Sequence, residues 1–298
     1  MNIVDIIRDF IKFARIPEMI ICLGGLSVFA LWLLRTSLGR NSLSDSLSRR
    51  HNMPFFLPLI LMFVWFGGVV TSVQLFQRLL PNLDEVNKTL VNHSVLSIGG
   101  VLVIVLMIFL ARTYFERGIK GFGLNFRTIF RDFEAALVNL LAVWPILIAS
   151  IIITVFLCQR LAGPDFEWPK HMELELLISH RNVYLRIMVF FVAAVIAPVL
   201  EELLFRGFFQ TMLRSFLADL AIFQKIHIMA LKPWAAIILT SGLFTIVHFN
   251  LTHWPALFLL SMCLGYSYEK SGSLFRPIFI HMIFNTANLI NALYASGV

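Results

Sequence analysis

Two adjacent carboxylates and a guanidinium lie inside a strongly apolar stretch, Glu201-Glu202-Leu203-Leu204-Phe205-Arg206, directly after Val195-Ile196-Ala197-Pro198-Val199-Leu200. A charged side chain at the centre of a bilayer costs on the order of 2.5–3.5 kcal/mol on insertion scales, so a group of three points to a use. On a helix, Glu202 and Arg206 are four apart, share a face and can pair. Glu201 points about 100° away. One carboxylate is then neutralised by arginine while its neighbour can accept a proton. A buried ion-pair clasp between helices would explain one carboxylate and leave the second unexplained. Pro198 removes a backbone donor and frees a carbonyl that needs a partner. Further along, Phe244 and His248 are four apart, and His281, Asn285 and Asn288 continue one helical face. A histidine and an amide one turn apart can aim N–H donors at one oxygen. The plainer readings are an interfacial or satisfied histidine at His248 and hydrogen-bonding glue between helices at His281 and Asn285.

The elements that must carry these groups are membrane helices. The chain has 298 residues, of which 59% are hydrophobic and 14% charged, with a mean hydropathy of +0.84. Soluble domains carry about 25% charged residues, so the composition is that of a polytopic membrane protein. The net charge of +7 is spread over loops. That suits topogenic signals or anionic headgroups, and no dense basic run with interleaved aromatics points to nucleic acid. Cys22, Cys158 and Cys263 are too scattered for a zinc motif or a disulfide framework and read as buried thiols.

Apolar runs over 17–35, 54–77, 95–112, 134–158, 187–217, 235–250, 254–269 and 275–294 predict an all-α polytopic bundle of about eight transmembrane segments. Residues 1–16 place Ile3, Ile6, Ile7 and Phe10 opposite Asp5, Arg8, Asp9 and Lys12, which predicts an amphipathic helix in the membrane plane. The run after Pro17 is long enough to span and is followed by no small-residue cleavage site, so a signal peptide is not expected. A short surface helix is expected within 169–180. The distribution of Lys and Arg over alternate loops favours an external N-terminus under the positive-inside rule. Segments 235–250 and 254–269 are shorter than the ~20 residues of an upright crossing. A polar turn between them that dips into a wet cavity would bring His248 to mid-membrane. Ionisable groups at membrane depth concentrate after residue 195, so 17–158 reads as scaffold and 187–294 as the catalytic core.

The order E-E-x-x-x-R, F-x-x-x-H and H-x-x-x-N, each on its own helix, closely resembles the CPBP or Abi family of intramembrane endopeptidases, which are similar to type II CAAX prenyl proteases. The resemblance covers roughly 187–294 and extends to Phe205-Arg206-Gly207; the first 150 residues carry no such motif. It implies that Glu201 is the general base, that Glu202 and Arg206 support it, and that Phe244 marks the helix delivering His248. It implies too that His281 and Asn285 stabilise an oxyanion. Such enzymes are generally treated as glutamate-dependent, without a metal cofactor. Peptide hydrolysis needs a base, oxyanion donors and exclusion of bulk water, which these residue types can supply. A zinc version stays open, because Glu201, His248 and His281 are legitimate ligands with an open fourth position. Against it, no H-E-x-x-H spacing occurs. The expected partners are the lipid bilayer and a peptide or membrane-protein substrate, lipidated or leader-like, in the inner membrane of a prokaryote. A non-catalytic scaffold or immunity protein is the second class, and an ion-coupled transporter the third. Transporters usually show related halves, whereas ionisable groups here fall in one half.

Overall fold

The computed structural model describes residues 16–46, 48–163, 166, 175, 176, 178, 182–220 and 231–295. Among these the regular structure is helical: α1 (Ile16–Arg35), α2 (Leu57–Leu79), α3 (Glu85–Tyr114), the short α4 (Gly118–Phe122), α5 (Ile129–Ala162), α6 (Val183–Asp219), α7 (Leu231–Ile246), α8 (Trp254–Ser271) and α9 (Phe275–Ala295). Among the described residues five stretches are long and apolar enough to cross a membrane: Glu18–Arg35, Leu57–Leu79, Glu85–Tyr114, Phe126–Ala162 and Val183–Asp219. The chain is an integral membrane protein. The eight expected segments are all helical, but α7 is apolar and too short, at 16 residues. Polar residues such as Glu269, His281 and Asn285 dilute α8 and α9. The expected amphipathic helix of 1–16 lies outside the described residues but for Ile16, and so does most of the expected surface helix at 169–180.

The chain divides into two compact units. One takes Met1–Leu47, Thr128–Pro169 and Leu213–Gly272; the other takes Ser48–Arg127, Lys170–Met212 and Ser273–Val298. In the first, α1 packs on α5, and α8 packs on both α5 and α7. Gly25 permits the α1–α5 approach, since a Cβ there would stand 2.2 Å from the Leu141 carbonyl oxygen. Small residues at such crossings let helix backbones meet where lipid offers no hydrophobic drive. Polar side chains add directed contacts. Asn139 donates to the Ser267 hydroxyl at 2.9 Å, and the Trp32 indole donates to the Tyr266 hydroxyl at 2.8 Å.

In the second unit α3 packs against α2 and α6, and α9 packs against α6. Gly100 of α3 accommodates the Ile196 side chain, with Cγ2 2.8 Å from where a Cβ would be. Leu185, Val189 and Ala194 of α6 close a dry core with Leu289 of α9. This core holds α6 and α9 side by side, and Glu201, Glu202, Arg206 and His281 sit on these two helices.

Candidate active site

Helix α6 departs from α geometry twice. Val192–Ile196 and Leu203–Gln210 are π-helical, and the α-helical turn Ala197–Glu202 lies between them. Single π turns inside α-helices often mark functional sites. In the first of them the Ala197 N–H donates five residues back, to the Val192 carbonyl. Continued by one residue, this pattern would give the Ala193 carbonyl to residue 198. That residue is proline, which has no N–H. The Asn285 side chain takes its place, donating from Nδ2 to the Ala193 carbonyl at 2.8 Å. An unmet carbonyl inside an apolar helix costs about 1–3 kcal/mol, so this bond ties α9 to the distorted stretch of α6.

Sequence spacing suggests that His281 and Asn285 aim together at one oxygen. The structure assigns them different acceptors. His281 Nδ1 stands 2.9 Å from Glu202 Oε1, whereas an Asn285 amide hydrogen is committed to α6 backbone. Pro198 offers no N–H to the Ala193 carbonyl, and Asn285 meets that carbonyl instead.

Glu202 Oε1 is the hub. It accepts from Arg206 Nη1 at 2.6 Å and from His281 Nδ1. Glu202 and Arg206 are fully buried. An ionised carboxylate only accepts, so the imidazole Nδ1 donates in this contact. His281 Nε2 then faces Glu201 Oε2 at 3.9 Å. Glu201 retains 13% side-chain exposure where Glu202 has none. The two neighbouring carboxylates therefore differ in burial: Glu202 is fully buried in an ion pair, and Glu201 keeps a small exposed fraction while its Oε2 is itself buried. A water placed about 2.8 Å from both Glu201 Oε2 and His281 Nε2 would subtend about 90°, which is close to what its own geometry accepts.

The glycine after Arg206 has a structural reason. A Cβ on Gly207 would lie 2.2 Å from the Phe122 ring. Phe122 also packs against Phe208 and Phe115, each at 4.9 Å between ring centres. The Leu274 N–H donates to the Gly123 carbonyl at 2.9 Å just ahead of α9. The short α4 thus wedges behind the ion pair and is tied to the start of the helix that carries His281. Sequence reasoning missed this wedge; a glycine inside an apolar helix was the available signal.

His248 belongs to the first unit, just past the end of α7. Its Nδ1 lies 2.7 Å from the Phe244 carbonyl, and its ring packs on that of Phe244 at 4.6 Å. Phe244 is fully buried, so the F-x-x-x-H spacing is that of an anchor and the imidazole it orients. The helix ends there in a left-handed Phe249, φ +50°. The sequence reading also missed Arg214 and Glu269, joined at 3.1 Å within the first unit. The three cysteines are half-buried thiols rather than buried ones.

No group of three or more His, Cys, Asp or Glu side chains among the described residues is disposed to hold a metal ion. His281 Nδ1 and Glu202 Oε1 are already bound to each other, and Arg206 brings a fixed positive charge to the same oxygen.

Residues 183–287 match the family described as Type II CAAX prenyl endopeptidase Rce1-like. This segment is CAAX-protease-like. No match was found among curated proteins or among solved structures. The CAAX-protease-like segment begins at the first residue of α6 and ends just after Asn285, so it encloses Glu201, Glu202, Arg206, His248, His281 and Asn285.

Proposed function

We propose that this chain is a glutamate-dependent intramembrane endopeptidase acting on membrane-associated peptides, lipidated or leader-like, in the inner membrane of a prokaryote. The carrying observation is the relay on α6 and α9, in which Arg206 holds Glu202, Glu202 holds His281 Nδ1, and His281 Nε2 faces Glu201.

Glu201 Oε2 takes a proton from water, and the resulting hydroxide attacks the scissile carbonyl carbon. Negative charge gathers on the former carbonyl oxygen. His281, protonated and held through Nδ1, donates from Nε2 to that oxygen. Collapse of the tetrahedral adduct breaks the C–N bond, and Glu201 returns its proton to the leaving amine. Each proton taken is returned, and no other reactant is needed. Glu202 and Arg206 act through His281: Glu202, held by Arg206, accepts from its Nδ1–H and holds its ring with Nε2 turned towards Glu201. Asn285 serves the same chemistry by fixing α6 against α9. The family resemblance also gives His248 a part.

The test is Glu201→Gln in reconstituted membranes with a prenylated or leader-type peptide, with and without a chelator. Turnover falls about 10²- to 10⁴-fold, the usual contribution of a general base. The wild-type rate is unchanged by chelator. Full activity in the variant removes Glu201 from the mechanism. Loss of wild-type activity on chelation transfers the reading to the zinc version.

A further inference from the structure

The second unit also carries a groove that the proposed chemistry does not use. The segment entering α2 and the segment leaving α3 run side by side. His51 and Phe115 form an antiparallel bridge. The Asn52 N–H donates to the Tyr114 carbonyl at 3.0 Å, and the Glu116 N–H donates to the Arg50 carbonyl at 3.2 Å. Beside this pairing opens a cleft of about 540 Å³, with Arg50, His51, Asn52, Arg112, Tyr114 and Glu116 in its lining. It is roomy enough for a small polar ligand, since such sites typically hold ~300–1,000 Å³.

The lining of the cleft carries two cations, Arg50 and Arg112, against one carboxylate, Glu116. The flanking segments 48–56 and 112–127 add Arg49, Arg117, Lys120 and Arg127 and no further carboxylate. Glu116 is a weak competitor. It lies 3.8 Å from Arg50 Nη1, and both side chains are largely exposed, at 57% and 85%. Exposed pairs of this kind contribute little, whereas a guanidinium meets a phosphate through two parallel, charge-assisted hydrogen bonds. His51 adds no charge at neutral pH, because burial pushes its imidazole below the usual 6.5. It serves there as a neutral donor or acceptor.

Position supplies the second argument. The groove lies where α2 begins and α3 ends, and both helices are long and apolar enough to cross a membrane. It therefore sits at headgroup level. Basic pockets between transmembrane helices on the cytoplasmic side are suited to anionic lipid headgroups, and the positive-inside rule assigns these arginine-rich loops to that side.

We propose that this groove binds a phosphate group, carried by an anionic lipid headgroup or free in solution, between the guanidinium groups of Arg50 and Arg112. The site is independent of the proteolytic reading, and its test uses no activity measurement. The full chain in neutral detergent is offered equal amounts of phosphatidylglycerol and phosphatidylcholine, and retained lipid is counted by native mass spectrometry. Wild-type protein retains phosphatidylglycerol in preference. The Arg50→Gln/Arg112→Gln double variant loses that preference about tenfold or more, and each single variant loses part of it, which keeps the test readable if the double variant does not fold. Glu116→Gln strengthens retention. Arg78→Gln, at the other end of α2, leaves it unchanged. Inorganic phosphate that displaces the lipid shows that the phosphate group alone suffices; phosphate that fails to displace it assigns the source to the lipid. Equal retention of the two lipids by wild type, undiminished retention by the double variant, or a loss in Arg78→Gln as large as in the double variant overturns the proposal.

Discussion

Among the described residues two arginine–glutamate pairs are almost fully buried, and they do different work. Arg214 and Glu269 join the end of α6 to α8 at 3.1 Å, with 11% and 2% side-chain exposure. They come from positions 55 residues apart, so their contact is a clasp between two helices. Arg206 and Glu202 lie on one helix, four residues apart, at 2.6 Å and with no exposure. The contact between these two side chains does not itself join two helices. Its carboxylate oxygen also receives His281, and through that ring it faces a second carboxylate. A buried ion pair is weak evidence for stability, because desolvation offsets much of the attraction. What marks the Arg206–Glu202 pair is His281 at the same oxygen.

Substitutions can break or sharpen this contrast. The largest effect is expected from Arg206→Ala. It leaves the Glu202 carboxylate buried without its cation, a cost of roughly 3–5 kcal/mol, and it releases His281. Thermal unfolding in detergent should show a large loss, and any folded fraction should show lost cleavage. Arg214→Gln should destabilise less, because this pair is closer to solvent, and should leave cleavage per folded molecule near wild type. Equal loss of cleavage in the two variants would end the distinction drawn between the pairs.

Next comes a double-mutant cycle on the carbonyl of Ala193. Asn285→Ala strands that oxygen and should cost about 1–3 kcal/mol. In a Pro198→Ala background, residue 198 regains an N–H that can serve the same carbonyl, so the Asn285→Ala cost should shrink. An unchanged cost would mean that Asn285 acts elsewhere, for example on an oxyanion. Gly207→Ala drives a methyl into the Phe122 ring and should cost about 1–3 kcal/mol by overpacking. Phe122→Leu should recover part of it, as read by unfolding temperature.

The smallest effect concerns His51. Its folded-state pKa lies below 6.5, mainly through burial, with a backbone hydrogen bond involving Thr211 pulling the other way. The unfolded chain therefore takes up a proton first as pH falls. The stabilisation is present above pH 6.5 and declines below it. His51→Gln should flatten the unfolding temperature between pH 7 and 5 relative to wild type.

Much of the local structure was legible in the sequence. Apolar runs marked the helices, because lipid requires the backbone to satisfy itself within each segment. The spacing of Glu202 and Arg206 marked their pair, because positions four apart are neighbours on any helix. Pro198 announced a carbonyl without a donor, because proline has no N–H in any context. The identity of that carbonyl's partner was not legible. Nor were the two π stretches that flank the carboxylates.

These remaining features depend on helices that are far apart in the chain. His281 reaches Glu202 across 79 residues, and Asn285 reaches Ala193 across 92. Phe122 finds Gly207 by packing α4 behind α6. Residue types and spacing along one helix determine which groups share a face, since helical geometry is local and fixed. Which oxygen each donor meets, and which of two adjacent glutamates is fully buried while the other keeps a small exposed fraction, was decided only when α9 and α4 docked on α6. The depth and rotation of packed helices are set by their side chains together.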